Sequence, residues 1–188
     1  MLRARSSLEA HLYMDLHPCE CGSSDFERRH HLEQHGDDIA AVYEGVCRKC
    51  GRDRGFTFVM ADEISPPPPA FGGPEPSQII DPGEFAEVVR RLSERAALAM
   101  LNSPHSEHHK HRGAAAYALA ALDEVFKFLP PGEDAIPASA FTSEVGRARY
   151  EREPGKFRRD ILEIELRLTR KILANIDEVS SPPRGTDP

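Results

Sequence analysis

The chain has no tryptophan, only 7% aromatic residues, and four cysteines among its 188 residues. It has no apolar run near the roughly 20 residues that a membrane-spanning helix needs, and no apolar segment of signal-peptide length at its N-terminus. We therefore expect a cytoplasmic protein with no membrane partner, since thiols stay reduced in the cytosol. The phosphate-binding-loop, dinucleotide-binding and nucleophile-elbow motifs are also absent, so no common enzyme class is indicated.

Basic residues are scarce relative to acidic ones. The chain has 24 Lys and Arg against 31 Asp and Glu, which gives a formal net charge of -7. A general affinity for nucleic acid requires a basic surface, so nucleic acid is the less favoured partner. Another protein, especially a basic one, suits this charge better because opposite charges steer association.

Three regions differ in their composition. Residues 1–61 contain all four cysteines and short alternating stretches, and they predict a first domain. Residues 62–80 are rich in proline and glycine and predict an extended linker. Residues 81–179 predict a bundle of about four helices, and residues 180–188 a disordered tail.

Three strands are predicted in the first domain, at residues 26–34, 39–47 and 54–60. The turn-forming residues 35–38 separate the first two strands and favour a hairpin. In the second domain, Asp81 and Pro82 mark a helix start. Further helices are predicted from about 106 to 129, 139 to 152 and 154 to 179. The predicted apolar face of the last helix consists of Phe157, Ile161, Ile164, Leu168, Ile172 and Ile176.

Two short turns carry the cysteines. The candidate metal ligands are Cys19, Cys21, Cys47 and Cys50. Thiolates bind zinc in a tetrahedron, so two turns with a cysteine at each end can supply a complete shell. Gly22 and Gly51 follow the two turns and allow the left-handed backbone that such a turn requires. Four cysteines leave no open position for water, so the expected zinc is structural rather than catalytic.

The pattern C-x-C-G followed by C-x-x-C-G resembles the zinc-ribbon superfamily over roughly residues 18–60. The resemblance implies a three-stranded antiparallel sheet pinned at one end by the metal, and an α+β chain as a whole. The first turn is one residue shorter than the usual C-x-x-C. His17 is therefore an alternative ligand, and a redox-active or metal-free set of thiols is another reading of the same residues.

Two further groups of residues are candidates for function. The first is a histidine segment, which could bind a second metal or support acid–base chemistry if it is more than a polar helix start. Its members are His105, His108, His109 and His111. The second is the set of bases near the second cysteine turn, which could contact phosphate. They are Arg48, Lys49, Arg52 and Arg54, with His30 and His31 beside Arg28 and Arg29 on a predicted strand.

Residues 147–171 are also rich in bases, and Arg158, Arg159, Arg167, Arg170 and Lys171 could form a basic face. Ordinary solvated helix surface, with i,i+4 charge pairs, accounts for much of this pattern.

These observations favour a non-enzymatic, zinc-stabilised protein-binding module. An acidic immunity or inhibitor protein that neutralises a nucleic-acid-attacking bacterial toxin fits this description. The alternatives are a nucleic-acid-associated zinc-ribbon regulator and a metalloenzyme that uses the segment from His105 to His111.

Overall fold

The computed structural model describes residues 1–61, 66–102, 104, 107 and 110–180. It divides into two compact units, Met1–Asp81 and Pro82–Pro188. In chain order the elements are β1 (Leu2–Ala4), α1 (Ser7–Leu16), β2 (Arg29–His35), β3 (Asp38–Val46), β4 (Asp53–Met60), α2 (Pro82–Leu101), α3 (Arg112–Lys127), α4 (Glu144–Arg152) and α5 (Arg159–Ser180). Within these described parts, no helix is both long and apolar enough to cross a bilayer.

The sheet of the first unit has four strands in the order β1-β4-β3-β2. β2 pairs antiparallel with β3, and β3 antiparallel with β4. β1 pairs parallel with β4, with Leu2 opposite Phe58. The prediction of a three-stranded antiparallel ribbon is therefore wrong in strand number and order. A strand of three residues carries too little alternation to be recognised, and its partner lies more than 50 residues away in the sequence.

Helix α1 was also absent from the predicted fold. It begins after Ser6, whose Oγ accepts a hydrogen bond from the backbone N–H of Glu9 at 3.0 Å. The buried carboxylate of Glu9 in turn accepts from the backbone N–H of Arg5 at 2.6 Å and from the guanidinium of Arg5. Ser6 and Glu9 have the three-residue spacing of a capping box, a signal in the sequence that marks this helix start.

The core of the first unit lies between α1 and one face of the sheet. Its fully buried members come from α1, all but one of the strands and the loop before β2. They are Ala4, Ala10, Met14, Phe26, Ala41, Tyr43 and Phe58. Strand β2 contributes nothing to this core, because all seven of its residues are exposed. Strand β2 therefore lies beyond the part of the sheet that α1 covers.

Part of the predicted linker packs onto the first unit. Phe71 and Ile80 are almost fully buried, and Ile79 packs against the core described above. The hydroxyl of Ser6 donates to the carbonyl oxygen of Phe71 at 2.6 Å, which ties the start of α1 to this segment. Residues 62–65 of the linker lie outside the described part of the chain. The predicted domain limits stay a prediction.

In the second unit, α2 packs against α3 and α4, and α3 packs against α5. The contact between α2 and α4 depends on two glycines. A Cβ atom added to Gly83 would lie only 2.5 Å from the Cα atom of Gly146. Since real Cβ atoms do not approach other atoms so closely, glycine at residue 83 permits this helix contact.

The buried side of α5 differs from the predicted one. Phe157, which precedes the helix, and Ile176 are buried as predicted, but Ile164, Leu168 and Ile172 are exposed. The buried positions of α5 are Leu162, Thr169 and Ile176, seven residues apart. Thr169 is accommodated because its hydroxyl donates to the carbonyl oxygen of Glu165 at 2.9 Å. A satisfied polar group costs little to bury.

Aromatic contacts organise the segment that joins α3 to α5. The rings of Phe141 and Phe157 meet edge to face, with centroids 4.6 Å apart. The backbone N–H of Ile136 donates to the carbonyl oxygen of Phe157 at 3.0 Å. The connection after α3 is therefore anchored to the residues that immediately precede α5.

Candidate metal centre

The first cysteine turn lies between α1 and the sheet. The backbone N–H of Gly22 donates to the carbonyl oxygen of Cys19 at 2.7 Å, which closes a tight turn. The N–H of Cys19 donates to the carbonyl oxygen of Ser23 at 2.9 Å. Gly22 has a φ of 82°, a conformation that glycine adopts without steric cost.

The second cysteine turn joins β3 to β4. The N–H of Gly51 donates to the carbonyl oxygen of Cys47 at 2.8 Å, and the N–H of Cys47 donates to that of Arg52 at 2.8 Å. Gly51 has a φ of 73°. The two turns thus share the same backbone construction, although the first has one residue fewer between its cysteines.

The two turns bring all four sulfur atoms together. The Sγ atoms of Cys19, Cys21, Cys47 and Cys50 lie within 4.8 Å of one another. Two pairs join the two turns, at 3.6 Å for Cys19 with Cys50 and 3.6 Å for Cys21 with Cys47. Zinc–sulfur bonds of about 2.3 Å in a tetrahedron place sulfurs about 3.8 Å apart. Four thiols at this spacing could hold a metal ion.

Backbone N–H groups favour the thiolate form of two of these cysteines. The N–H of Cys50, followed by that of Lys49, lowers the pKa of Cys47 to about 6. The N–H of Cys21 lowers the pKa of Cys19. At Cys50 the N–H of Arg52 acts in the same direction, but burial and the three neighbouring sulfurs outweigh it and raise the pKa to about 12. The protein alone therefore does not stabilise four thiolates, whereas a cation among them would.

Contacts outside the sulfur cluster connect the two turns to each other. Phe26 forms an isolated antiparallel bridge with Cys47. The N–H of Arg48 donates to the carbonyl oxygen of Asp25 at 3.1 Å. Lys49 Nζ donates to the carbonyl oxygen of Cys21 at 3.1 Å. The turns are thus held in register by contacts that do not involve the sulfurs.

Arg54 lies beside the centre and was not recognised as part of it. Its guanidinium carbon is 5.3 Å from the ring centroid of Phe26 and 5.0 Å from that of Phe56, and its Nη2 donates to the carbonyl oxygen of His17. The alternation of Arg54, Phe56 and Phe58 on β4 is the signal that places these three residues on one face.

His17, the alternative ligand, is not part of the group of four cysteines. Its imidazole stacks on Tyr13 with centroids 3.8 Å apart, and Nδ1 is 2.8 Å from the carbonyl oxygen of Tyr13. Among the described residues, the group that could hold a metal contains only the four cysteines.

The other predicted groups are dispersed or lie outside the described residues. His105, His108 and His109 are not described, and His111 immediately precedes α3. His30 stacks on Tyr43, with ring centroids 5.7 Å apart. His31 Nε2 lies 2.8 Å from the carboxylate of Glu33, on the opposite face of β2.

No protein-family model matches this chain, and no curated protein or solved structure shows significant similarity to it.

Proposed function

We propose that the first unit is a non-catalytic, metal-stabilised module that binds another protein. The observation that carries this proposal is the convergence of four sulfurs within 4.8 Å on two similar turns. A shell of four thiolates closes the coordination of a tetrahedral ion, so the ion stabilises the fold and has no position for a substrate. Zinc is the proposed ion, because tetrahedral thiolate sites suit zinc and the module needs no redox chemistry.

The surface proposed for binding is the β2–β3 hairpin. All seven residues of β2 are exposed, and β2 is an outer strand of the sheet with no described strand beyond it. An outer strand with free backbone groups can pair with an extended segment of another protein. The apolar side chains of Leu32 and Ile39 lie diagonally across the hairpin and are 65% and 56% exposed.

The charge of the hairpin supports a basic protein as the partner. Between Arg29 and Val46 the only base is Arg29, whereas Glu33, Asp37, Asp38 and Glu44 are acidic. The carboxylate of Glu33 is held by both His31 and His35, and the resulting hydrogen bonds lower its pKa. A hairpin with this excess of acidic residues would attract a basic partner and be specific for it.

The nucleic-acid alternative has less support, because the bases near the second turn already have partners. Arg48 pairs with Asp25 at 3.7 Å, and Arg52 pairs with Glu20. Arg54 is held by aromatic rings and a carbonyl oxygen, as described above. Contact with phosphate would have to break these interactions, so they weaken the case for this surface as a phosphate-binding one.

Binding to purified proteins encoded by adjacent genes tests the proposal. At micromolar concentration we expect one basic neighbour to bind, with an affinity that falls as salt rises. Leu32→Asp and Ile39→Asp should abolish binding. Leu98→Asp is the matched control, since Leu98 is 60% exposed on α2.

Absence of binding to any neighbour-encoded protein would contradict the proposed function. Binding that all three substitutions weaken equally would contradict the hairpin as the contact surface. A toxin-neutralising role stays a prediction, and inhibition of a bound neighbour's nucleic-acid-cleaving activity is the measurement that decides it.

A further inference from the structure

The second unit contains a cavity of about 430 Å³ between α2 and α4. It is lined by Glu87, Arg90, Arg91, Val145, Arg149 and Arg152. Four of these six residues are arginines and only one is acidic. The volume falls within the range of cavities that bind small molecules, about 300–1,000 Å³. Arginine is the residue best suited to phosphate and carboxylate groups, because its planar guanidinium donates paired hydrogen bonds.

Hydrogen-bond donors in this cavity are left without acceptors. Arg149 Nε is buried and has no hydrogen-bond partner, although Nη1 of the same side chain pairs with Glu153 at 2.8 Å. A buried N–H without an acceptor is costly, and native proteins rarely leave one unsatisfied. Arg152, one helical turn along, is exposed and forms no ion pair within the described residues. An anion bound in the cavity would supply acceptors to both side chains.

Glu87, the one acidic residue that lines this cavity, already pairs with two neighbouring arginines. Glu87 accepts from Arg90 at 2.5 Å and from Arg91 at 3.0 Å. Arg90 also donates to Glu94 at 2.6 Å. These contacts involve only one nitrogen, Nε, of Arg91, so its remaining N–H groups add to the donors described above. The cavity therefore keeps an excess of positive charge.

A second cavity of about 200 Å³ adjoins the first, since Arg90 and Arg149 line both. This cavity adds the apolar side chains of Val89, Phe157 and Leu162, together with Lys156. The basic cavity thus lies beside a more apolar one, which Glu94 and Glu165 also line. A ligand with a charged end and a less polar body matches this arrangement.

We propose that the cavity between α2 and α4 binds a phosphorylated small molecule through its phosphoryl oxygens. Arg149 and Arg152 are the principal donors, and the adjoining cavity takes the rest of the ligand. This site is independent of the metal centre and of the hairpin.

Isothermal titration of the full-length, metal-loaded protein with inorganic pyrophosphate tests the site. We expect saturable binding at one site. Arg149→Gln and Arg152→Gln should each weaken it about tenfold, since one charge-assisted hydrogen bond is lost. Arg167→Gln is the matched control, because Arg167 is exposed on α5 and lines neither cavity.

Three results would overturn the proposal. They are no binding at millimolar pyrophosphate, equal loss in Arg167→Gln, and equal binding of citrate at matched ionic strength. We expect the Arg152→Gln variant to fold, because this exposed side chain makes no described contact. Weaker binding by this variant therefore cannot be attributed to misfolding. The variant also distinguishes binding from extraction of the metal by pyrophosphate. A titration signal from metal extraction would be the same in Arg152→Gln as in the parent protein.

Discussion

The Sγ atom of Cys19 lies 3.6 Å from that of Cys50, although the two cysteines belong to different turns and are 31 residues apart. Cys21 and Cys47 are likewise 3.6 Å apart across the two turns. A metal ion among the sulfurs would join the turn that precedes β2 to the turn that connects β3 to β4.

Replacing Cys47 with Ser should release the metal and unfold the first unit over about residues 18–60. Structural zinc sites contribute on the order of 10 kcal/mol of apparent folding free energy in small modules. Native mass spectrometry gives the metal content, and circular dichroism the loss of structure. His17→Ala is the control and should keep one metal per chain. A variant that stayed folded without metal, or a parent protein unaffected by a chelator, would contradict a structural role for the ion.

Gly51→Ala should destabilise the first unit by about 1–2 kcal/mol, because Gly51 has a φ of 73° and an L-residue is strained there. A Cβ at this residue meets no atom within 4 Å, so the cost is conformational rather than steric. Gly55→Ala on β4 is the control, since it also has open space and its φ is not positive. Urea unfolding measures both, and equal stability of the two variants would argue against backbone strain at Gly51.

Glu9→Ala should lower the free energy of unfolding of the first unit by about 3–5 kcal/mol, because it leaves the guanidinium of Arg5 without its buried carboxylate partner. The Glu9 side chain is fully buried, and its Oε1 lies 2.6 Å from Arg5 Nη2. The comparison is Asp38→Ala, which removes an ion pair between Arg3 and Asp38 whose two side chains are both more than 40% exposed. That change should cost less than about 1 kcal/mol. Chemical denaturation of both variants gives the two values.

Glu87→Gln should lower stability at neutral pH but not in strong acid. Hydrogen bonds from Arg90, and then from Arg91, lower the pKa of Glu87 to about 2. A carboxyl with a depressed pKa in the folded protein stabilises it above the unfolded pKa of about 4.3. This contribution disappears as the pH falls through about 2.

The measurement is the difference in unfolding free energy between variant and parent at several pH values. Metal loss in acid affects both proteins and cancels in the difference. Glu163→Gln, at an exposed residue of α5, is the control variant. A gap between Glu87→Gln and the parent that stayed constant from pH 7 to pH 2.5 would contradict the prediction.

Leu162→Ala should destabilise the second unit by about 2–5 kcal/mol, whereas Leu168→Ala should change its stability by less than about 0.5 kcal/mol. Both leucines are on α5, but Leu162 is 2% exposed and Leu168 is 56% exposed. Thermal unfolding followed by circular dichroism distinguishes them. If Leu168→Ala destabilised the second unit more than Leu162→Ala, the buried face of α5 would be the one predicted from the sequence.

Local signals in the sequence located much of the secondary structure. The start of α2 at Pro82 and the turn that separates β2 from β3 depend on neighbouring residues only, so they can be read directly. The order of the strands could not be read, because β1 contains three residues and pairs with Phe58 of β4, the last strand of the sheet in chain order. Short elements with distant partners leave almost no periodic pattern.

The buried face of α5 was misjudged because the helix carries two apolar stripes. Ile164, Leu168 and Ile172 form the more obvious one, yet the buried stripe includes the polar Thr169. Its hydroxyl is satisfied within the helix, which a hydrophobicity pattern does not register. At the metal centre, cysteine spacing identified the four residues that come together, but the position of Arg54 between two rings depends on tertiary packing.

The pairing of Leu2 with Phe58 and of Ser6 with Phe71 has a consequence for synthesis on the ribosome. Strand β1 and Ser6 leave the exit tunnel well before their partners, since β1 cannot pair with β4 until β4 has emerged. The hairpin and the two cysteine turns need only residues 19–52 and can form earlier. We expect nascent chains halted after residue 61 to expose the start of α1 to proteases, and chains extended past residue 81 to protect it.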